Sequence, residues 1–299
     1  MRKRQLLHLG AATLLPLQRA WSVTATPSGW RMPDEADPHQ RTWMAFGASA
    51  EIWGDKLLPE VRRNLALIAR TIAQTEPVTM LVRPHEMALA KTLIGPGIDL
   101  MPSALDDLWM RDTGPIFVRQ ANGKRQAVDF NFNGWGEKQA HAQDALVAQL
   151  VARSAGVPVQ RSKLVLEGGG IEVDGQGTAI IAQSCVLNDN RNPGLSKADC
   201  EAQLKEALGL QKIIWLPGIK GKDITDGHTD FYARFASPGV VLAGFDPDPN
   251  SYDHAVTKTH LQLLRRATDA QGRALKVLVL QGPAKVRPQF ESTEFAAGY

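Results

Sequence analysis

The chain has 299 residues, 43% hydrophobic and 22% charged, with 26 Gly and 18 Pro, enough apolar material for a sizeable core. Four of its 34 basic residues, Arg2, Lys3, Arg4 and Arg19, fall in an acid-free stretch of the first 25, and the remaining 30 face 31 acids. The body is therefore near neutral with no basic stripe, which argues against nucleic acid as a partner, and no run of about 18 apolar residues marks a membrane span.

In chain order, residues 1–25 read as an export signal. Met1-Arg-Lys-Arg4 precedes an apolar stretch from Leu6 to Leu17, interrupted by His8 and Thr13, and Val23-Thr-Ala25 offers small residues for cleavage. Lys3-Arg4-Gln-Leu-Leu7 resembles a twin-arginine signal with Lys in the first Arg position. This reading expects a periplasmic or extracellular protein with no stable membrane anchor after cleavage. The alternative is an ordinary N-terminal extension on a cytoplasmic protein.

Beyond it, four amphipathic helices are predicted, each running into a short strand. They are Leu57–Gln74 before Val78–Val82, Ala140–Ala152 before Val157–Gln160, Ser196–Leu208 before Ile213–Leu216, and Ala255–Ala270 before Val277–Leu280. The third opens with Ser196 as N-cap and Asp199 three residues later, and should bury Cys200, Leu204, Ala207 and Leu208. Further strands are expected over Arg41–Phe46, Ala127–Phe132, Thr178–Leu187 and Val240–Phe245. The recurring order of strands, helix and strand, at irregular spacing and without a linker, predicts a closed ring of α/β modules in one domain over 26–299. Glu291–Tyr299 reads as another strand start, so the chain is expected to be incomplete at its C-terminus.

Three polar motifs carry acid–base groups: Trp109-Met-Arg-Asp-Thr-Gly-Pro115, Leu166-Glu-Gly-Gly-Gly170 and Thr225-Asp-Gly-His-Thr-Asp230. Asp112 and Asp230 could hold a guanidinium by paired, charge-assisted hydrogen bonds. Taken singly, Asp112 reads equally well as a turn acceptor. His228 and Asp230, two apart on an extended segment, would face the same side, with His228 as acid and base. Glu167, at the end of an expected Leu164–Leu166 strand, could orient the imidazole. Gly168, Gly169 and Gly170 would let backbone approach a ligand. Trp109 and Trp135 could wall a cation pocket or simply fill the core. A metal on alternating Asp226, His228 and Asp230 is a weaker reading, because no second His or Cys-pair spacing accompanies them. Cys185 in an apolar strand and Cys200 on a buried helix face read as core thiols, not nucleophiles.

The motifs W-M-R-D-T-G-P, F-N-G-W-G, E-G-G-G-I-E-V-D-G-Q-G-T, N-R-N-P-x-L-S-K and D-G-H-T-D, in this order over residues 32–299, resemble the agmatine deiminase and bacterial peptidylarginine deiminase family. The resemblance implies a five-bladed α/β propeller of ββαβ modules (the pentein fold), with the last module largely missing here. It implies Asp112 and Asp230 as guanidinium ligands, His228 as acid–base and Glu167 as its support. It also implies no metal or organic cofactor, and a homodimer by analogy. The family's nucleophile, a Cys in a Gly-rich C-terminal loop, has no counterpart among these residues, so the chain is expected to be inactive alone. Phe46-Gly47 stands where agmatine deiminases usually show Trp-Pro, and Asp226 where they often show Asn. The implied substrate is agmatine first and peptidyl arginine second. An amidinotransferase and a non-catalytic guanidinium binder are the rivals.

Overall fold

The computed structural model describes residues 29–282. The first strands and helices are β1 (Thr42–Phe46), α1 (Ala50–Ile72), β2 (Val78–Val82), α2 (Met87–Ile94) and β3 (Asp99–Pro102). Then come the one-turn α3 (Met110–Thr113), β4 (Ile116–Arg119), β5 (Arg125–Asp129), the short α4 (Gly134–Glu137), α5 (Val147–Ser154) and β6 (Val159–Arg161). The third group is β7 (Ile171–Val173), β8 (Thr178–Ala182), α6 (Gln183–Val186), α7 (Lys197–Leu208) and β9 (Lys212–Leu216). The fourth is β10 (Ala233–Ser237), β11 (Val240–Phe245), α8 (His254–Arg266) and β12 (Lys276–Gln281).

Among the described residues these strands make four three-stranded sheets, each built from consecutive strands. In three of them a short antiparallel pair is followed by a parallel crossover through a helix: β4–β5–β6, β7–β8–β9 and β10–β11–β12. The first sheet, β1–β2–β3, is parallel throughout. The repeat is thus ββαβ. Its parallel step needs a helix-length crossover, which is why the helix-to-strand order was visible in the sequence.

Helix α7 shows how local chemistry sets an element. Ser196 Oγ accepts from Asp199 N at 3.2 Å, and Asp199 Oδ2 accepts from Ser196 N at 3.1 Å, a reciprocal capping box. Gly209 ends the helix at φ 68°, where only glycine is unstrained. The predicted face is buried, Cys200, Leu204 and Leu208 completely, against Leu164, Leu166 and Ile181. Replacing Ser196 by Ala is expected to cost about 1 kcal/mol, read as a lower urea midpoint at unchanged slope.

Several expectations need correction. The helix expected over 140–152 begins only at Val147, after a 3-10 turn at Asp144–Leu146. Helix α1 starts earlier than predicted and is interrupted at Gly54 (φ 67°), and its Ile68 is 48% exposed. The strand expected over 178–187 stops at Ala182, so Cys185 lies in α6. Leu164–Leu166 is not a strand. Strands β3, β4, β7 and β10 and helix α2 were not anticipated; the strands are three to five residues long, too short to show a period. The expected export signal and the strand at Glu291–Tyr299 lie outside the described residues.

Candidate active site

Three one-turn helices sit at equivalent places in the repeat, each directly before the first strand of its sheet. They are α3 before β4, a 3-10 turn at Gly168–Gly170 before β7, and a 3-10 turn at Thr229–Phe231 before β10. The second packs on both of the others. Motifs distant in sequence therefore meet because the module repeats.

The glycines allow this approach. A Cβ on Gly168 would lie 2.1 Å from the Arg111 carbonyl oxygen, so only glycine lets the second turn sit on the first. Gly169 N donates to Asp112 Oδ1 at 3.0 Å. Thr229 Oγ1 donates to the Gly170 carbonyl at 2.8 Å and accepts from Ala182 N at 3.0 Å, tying the third turn to the second and to β8.

His228 is buried between carboxylates. Nε2 lies 3.2 Å from Glu167 Oε2, and Nδ1 lies 3.8 Å from Asp112 Oδ1 and 4.0 Å from Asp230 Oδ1. Thr225 Oγ1 caps its backbone N–H at 3.0 Å. Asp112 is held on its second oxygen by Trp135 Nε1 at 3.1 Å, while the buried Oδ1 of Asp230 accepts no hydrogen bond from the described residues. These groups crowd over the bare backbone of Gly169. A Cβ built there would lie 2.5 Å from His228 Nδ1, 2.9 Å from Asp112 Oδ1 and 2.9 Å from Asp230 Oδ2. Two carboxylates and an imidazole nitrogen thus converge on one point with a bare backbone as its floor.

The electrostatics suit a cation there. Burial pushes the Asp112 carboxyl up, as do its neighbours Glu167 and Asp230, while the His228 charge and the Gly169 amide oppose this. Burial also raises Asp230, against the charges of His228, Arg111 and Arg234. Both would be relieved by an incoming guanidinium. Burial alone would lower His228, but the charge of Asp112, with Cys185 and Glu167, holds it well above its ordinary 6.5. Glu167 is fully buried; even so, His228 and Arg191 keep it below its ordinary value.

Asp112, Glu167, His228 and Asp230 are therefore brought together as expected, with Gly168, Gly169 and Trp135 beside them. His228 and Asp230 share a side through a 3-10 turn, not through strand alternation. Trp109 stands farther out: 37% exposed, its Nε1 on Asp107 Oδ2 at 3.0 Å, stacked on Trp53 at 6.1 Å and edge-on to Trp135 at 6.5 Å. Asp226 does not join His228 and Asp230 as a ligand set. It turns away at φ 63° to meet Lys138 Nζ and Arg191 Nη1, each at 2.8 Å. Cys185, expected to be remote core, touches the site: its Sγ is 3.5 Å from Glu167 Oε2, and burial and the Glu167 charge keep it a thiol. Donor atoms of Glu167, Cys185 and His228 all lie within 4.8 Å, a spacing a metal could use, although the Arg191 guanidinium already shares that carboxylate. Arg191 was missed as a site residue. The available signal was an Arg between two Asn in the run Asn188–Asn192.

Over residues 31–299 the chain matches the family described as Porphyromonas-type peptidyl-arginine deiminase. It is 39% identical over 273 residues to the agmatine deiminase of Stutzerimonas stutzeri, covering 88% of this chain and 74% of that relative. With the agmatine deiminase of Pseudomonas aeruginosa it shares 35% identity over 271 residues, 87% of this chain and 73% of the relative. The solved agmatine deiminase of Enterococcus faecalis matches with a TM-score of 0.82 and 35% identity, over 88% of this chain and 74% of that one. These likenesses bear out the α/β propeller class.

Proposed function

The chain belongs to the Porphyromonas-type peptidyl-arginine deiminase family, and from that premise we propose that it is a guanidine deiminase, which hydrolyses a C–N bond and releases ammonia. The observation that carries this reading is the convergence of Asp112, Asp230 and His228 Nδ1 over the backbone of Gly169. A guanidinium there would give paired N–H groups to the two carboxylates, which keep it cationic and fix its carbon. A thiolate then forms a C–S bond. Protonated His228 gives its Nδ1 proton to the departing nitrogen, the C–N bond breaks and ammonia leaves a thiouronium. His228, now neutral, takes a proton from water as the water attacks the same carbon. The C–S bond breaks, the hydroxyl proton of the adduct passes to solvent, and a urea-type product is released with the thiolate restored.

Neither cysteine of the chain suits the attack. Cys185 lies with Glu167 on the Nε2 side of the imidazole, away from the Nδ1 side that Asp112 and Asp230 face, and Cys200 is buried in α7. On this reading residues 1–299 bind and orient the guanidinium but turn nothing over without a thiolate from elsewhere. Agmatine, giving N-carbamoylputrescine, is the first substrate by the relatives' names. Peptidyl arginine is the second, supported by the family's own description and by the signal-like N-terminus, from which we also propose export.

Calorimetry with agmatine and with an N-acyl arginine amide, beside an ammonia assay, tests this. Agmatine is expected to bind without ammonia release. Its affinity should weaken as pH falls, beginning above the ordinary carboxylate range, because Asp112 and Asp230 take up protons there. Failure of both ligands to bind would overturn the guanidine reading. Ammonia release by the chain alone would overturn its dependence on an outside thiolate.

A further inference from the structure

We propose that Arg191 is the positioning residue of this site: its buried guanidinium fixes Glu167 as the ionised partner of His228 and links it to the surface through Asp226 and Lys138. The proposal rests on His228 as the acid–base of the function above.

The Arg191 side chain is fully buried, and its hydrogen bonds all stay within the site's own loops. Nε donates to both Glu167 oxygens, at 2.9 and 3.1 Å. Nη1 donates to Asp226 Oδ2 at 2.8 Å and Asn190 Oδ1 at 3.1 Å, and Nη2 to the Thr225 carbonyl at 2.9 Å. The neighbouring asparagines lock the loop in place. Asn192 exchanges hydrogen bonds with the backbone of Val165, two residues before Glu167, at 3.0 Å each way. Asn133, two residues before Trp135, donates to the Asn190 carbonyl at 2.9 Å. One loop therefore grips the segments that carry Trp135, Glu167 and His228.

The charges alternate from outside to inside: Lys138, Asp226, Arg191, Glu167, His228. Lys138 is 31% exposed and the others are buried. This order has a chemical consequence. Glu167 and His228 share one proton, and a general acid for ammonia needs it on the imidazole. A cation against Glu167 disfavours the proton on that oxygen. The same positive charge also makes the pair release its proton more readily, as protonation of the departing nitrogen in the first half-reaction needs. The groups facing His228 are Asp112, Asp230, Glu167 and the Cys185 thiol, and Arg191 acts on it through Glu167.

The test is the titration of His228, followed by NMR of the whole chain and assigned with His228→Gln. Arg191→Gln keeps a hydrogen-bonding side chain but loses the charge, and should raise the apparent His228 titration by about one pH unit or more. Arg191→Lys, which restores the charge, should bring it back toward the starting value. If Arg191→Gln does not fold, Asp226→Asn leaves Arg191 less neutralised, and should move the titration the opposite way. A folded Arg191→Gln protein with an unmoved titration overturns the proposal, and so does an unmoved Asp226→Asn where that variant must serve. A purely structural arginine would change the melting temperature but not the titration. Agmatine calorimetry on the unmutated chain tests the guanidine reading separately.

Discussion

Gly169→Ala is expected to abolish guanidinium binding while leaving a folded protein. The backbone at Gly169 is not in the left-handed region, so alanine is conformationally allowed, and the only cost is space. The new methyl would lie within 2.9 Å of His228 Nδ1, Asp112 Oδ1 and Asp230 Oδ2, tighter than such contacts tolerate. None of the three retreats freely. His228 is held by Glu167, Asp112 by Trp135 and the Gly169 amide itself, and Asp230 follows His228 in a short turn. The methyl therefore forces apart the groups proposed to hold the cation and puts a neutral group between two carboxylates. Loss of two desolvated ion pairs corresponds to at least about 100-fold in affinity, and the overpacking costs about 1–3 kcal/mol of stability. Gly168→Ala is the control. Its methyl meets backbone, the Arg111 carbonyl, so it should destabilise the packing of the turns more than it disturbs the two carboxylates. Calorimetry with agmatine and thermal melts of both variants separate the two effects. Wild-type affinity in Gly169→Ala would mean that the guanidinium is not held by Asp112, Asp230 and His228 over Gly169.

The same geometry explains what could be read in the chain and what could not. The long helices and the buried middle strands were legible because their periods run over enough residues: α7 and β2 were anticipated nearly to the residue. The first strand of each repeat was not, because β4, β7 and β10 span three to five residues and follow directly on a turn whose residues serve the site. The four acid–base residues stood out as polar groups in Gly-rich surroundings. Their common focus, however, depends on the repeat, which sets three similar turns side by side at irregular sequence spacing. Arg191 was hidden for another reason. A lone arginine in a polar loop looks solvated, and only the tertiary structure surrounds it with Glu167, Asp226 and the Thr225 carbonyl. Cys185 was misjudged in the opposite sense. Its apolar flank correctly indicated burial, but the strand ends at Ala182 and the turn of α6 points the thiol at Glu167.

Glu167→Gln should have the largest effect on stability, and its pH dependence identifies the cause. The carboxylate is fully buried and serves two cations, Arg191 and His228, themselves almost wholly buried. An amide of the same shape leaves Arg191 with only Asp226 and His228 without its nearest anion. Breaking a buried pair in this way costs about 3–5 kcal/mol. The sign with pH follows from linkage. His228 is raised in the folded state above its ordinary 6.5, so its contribution is full below pH 6.5 and is lost as pH rises through the folded value. Glu167 is lowered below its ordinary 4.5, so its contribution is full above pH 4.5 and is lost as pH falls through the folded value. Together they give a plateau between these two limits that declines on both sides. Asp112 and Asp230 are raised instead, and on their own they would favour folding at lower pH. In Glu167→Gln the acid-side decline attributable to this carboxylate vanishes, and the alkaline decline moves to lower pH because His228 loses an anion that held its proton. Urea midpoints measured from pH 4 to 9 for both proteins would show this as a gap that is widest near pH 6. A gap of constant size across that range would mean that Glu167 acts by packing alone, and that the charge of the Glu167–His228 pair contributes nothing to the folded state.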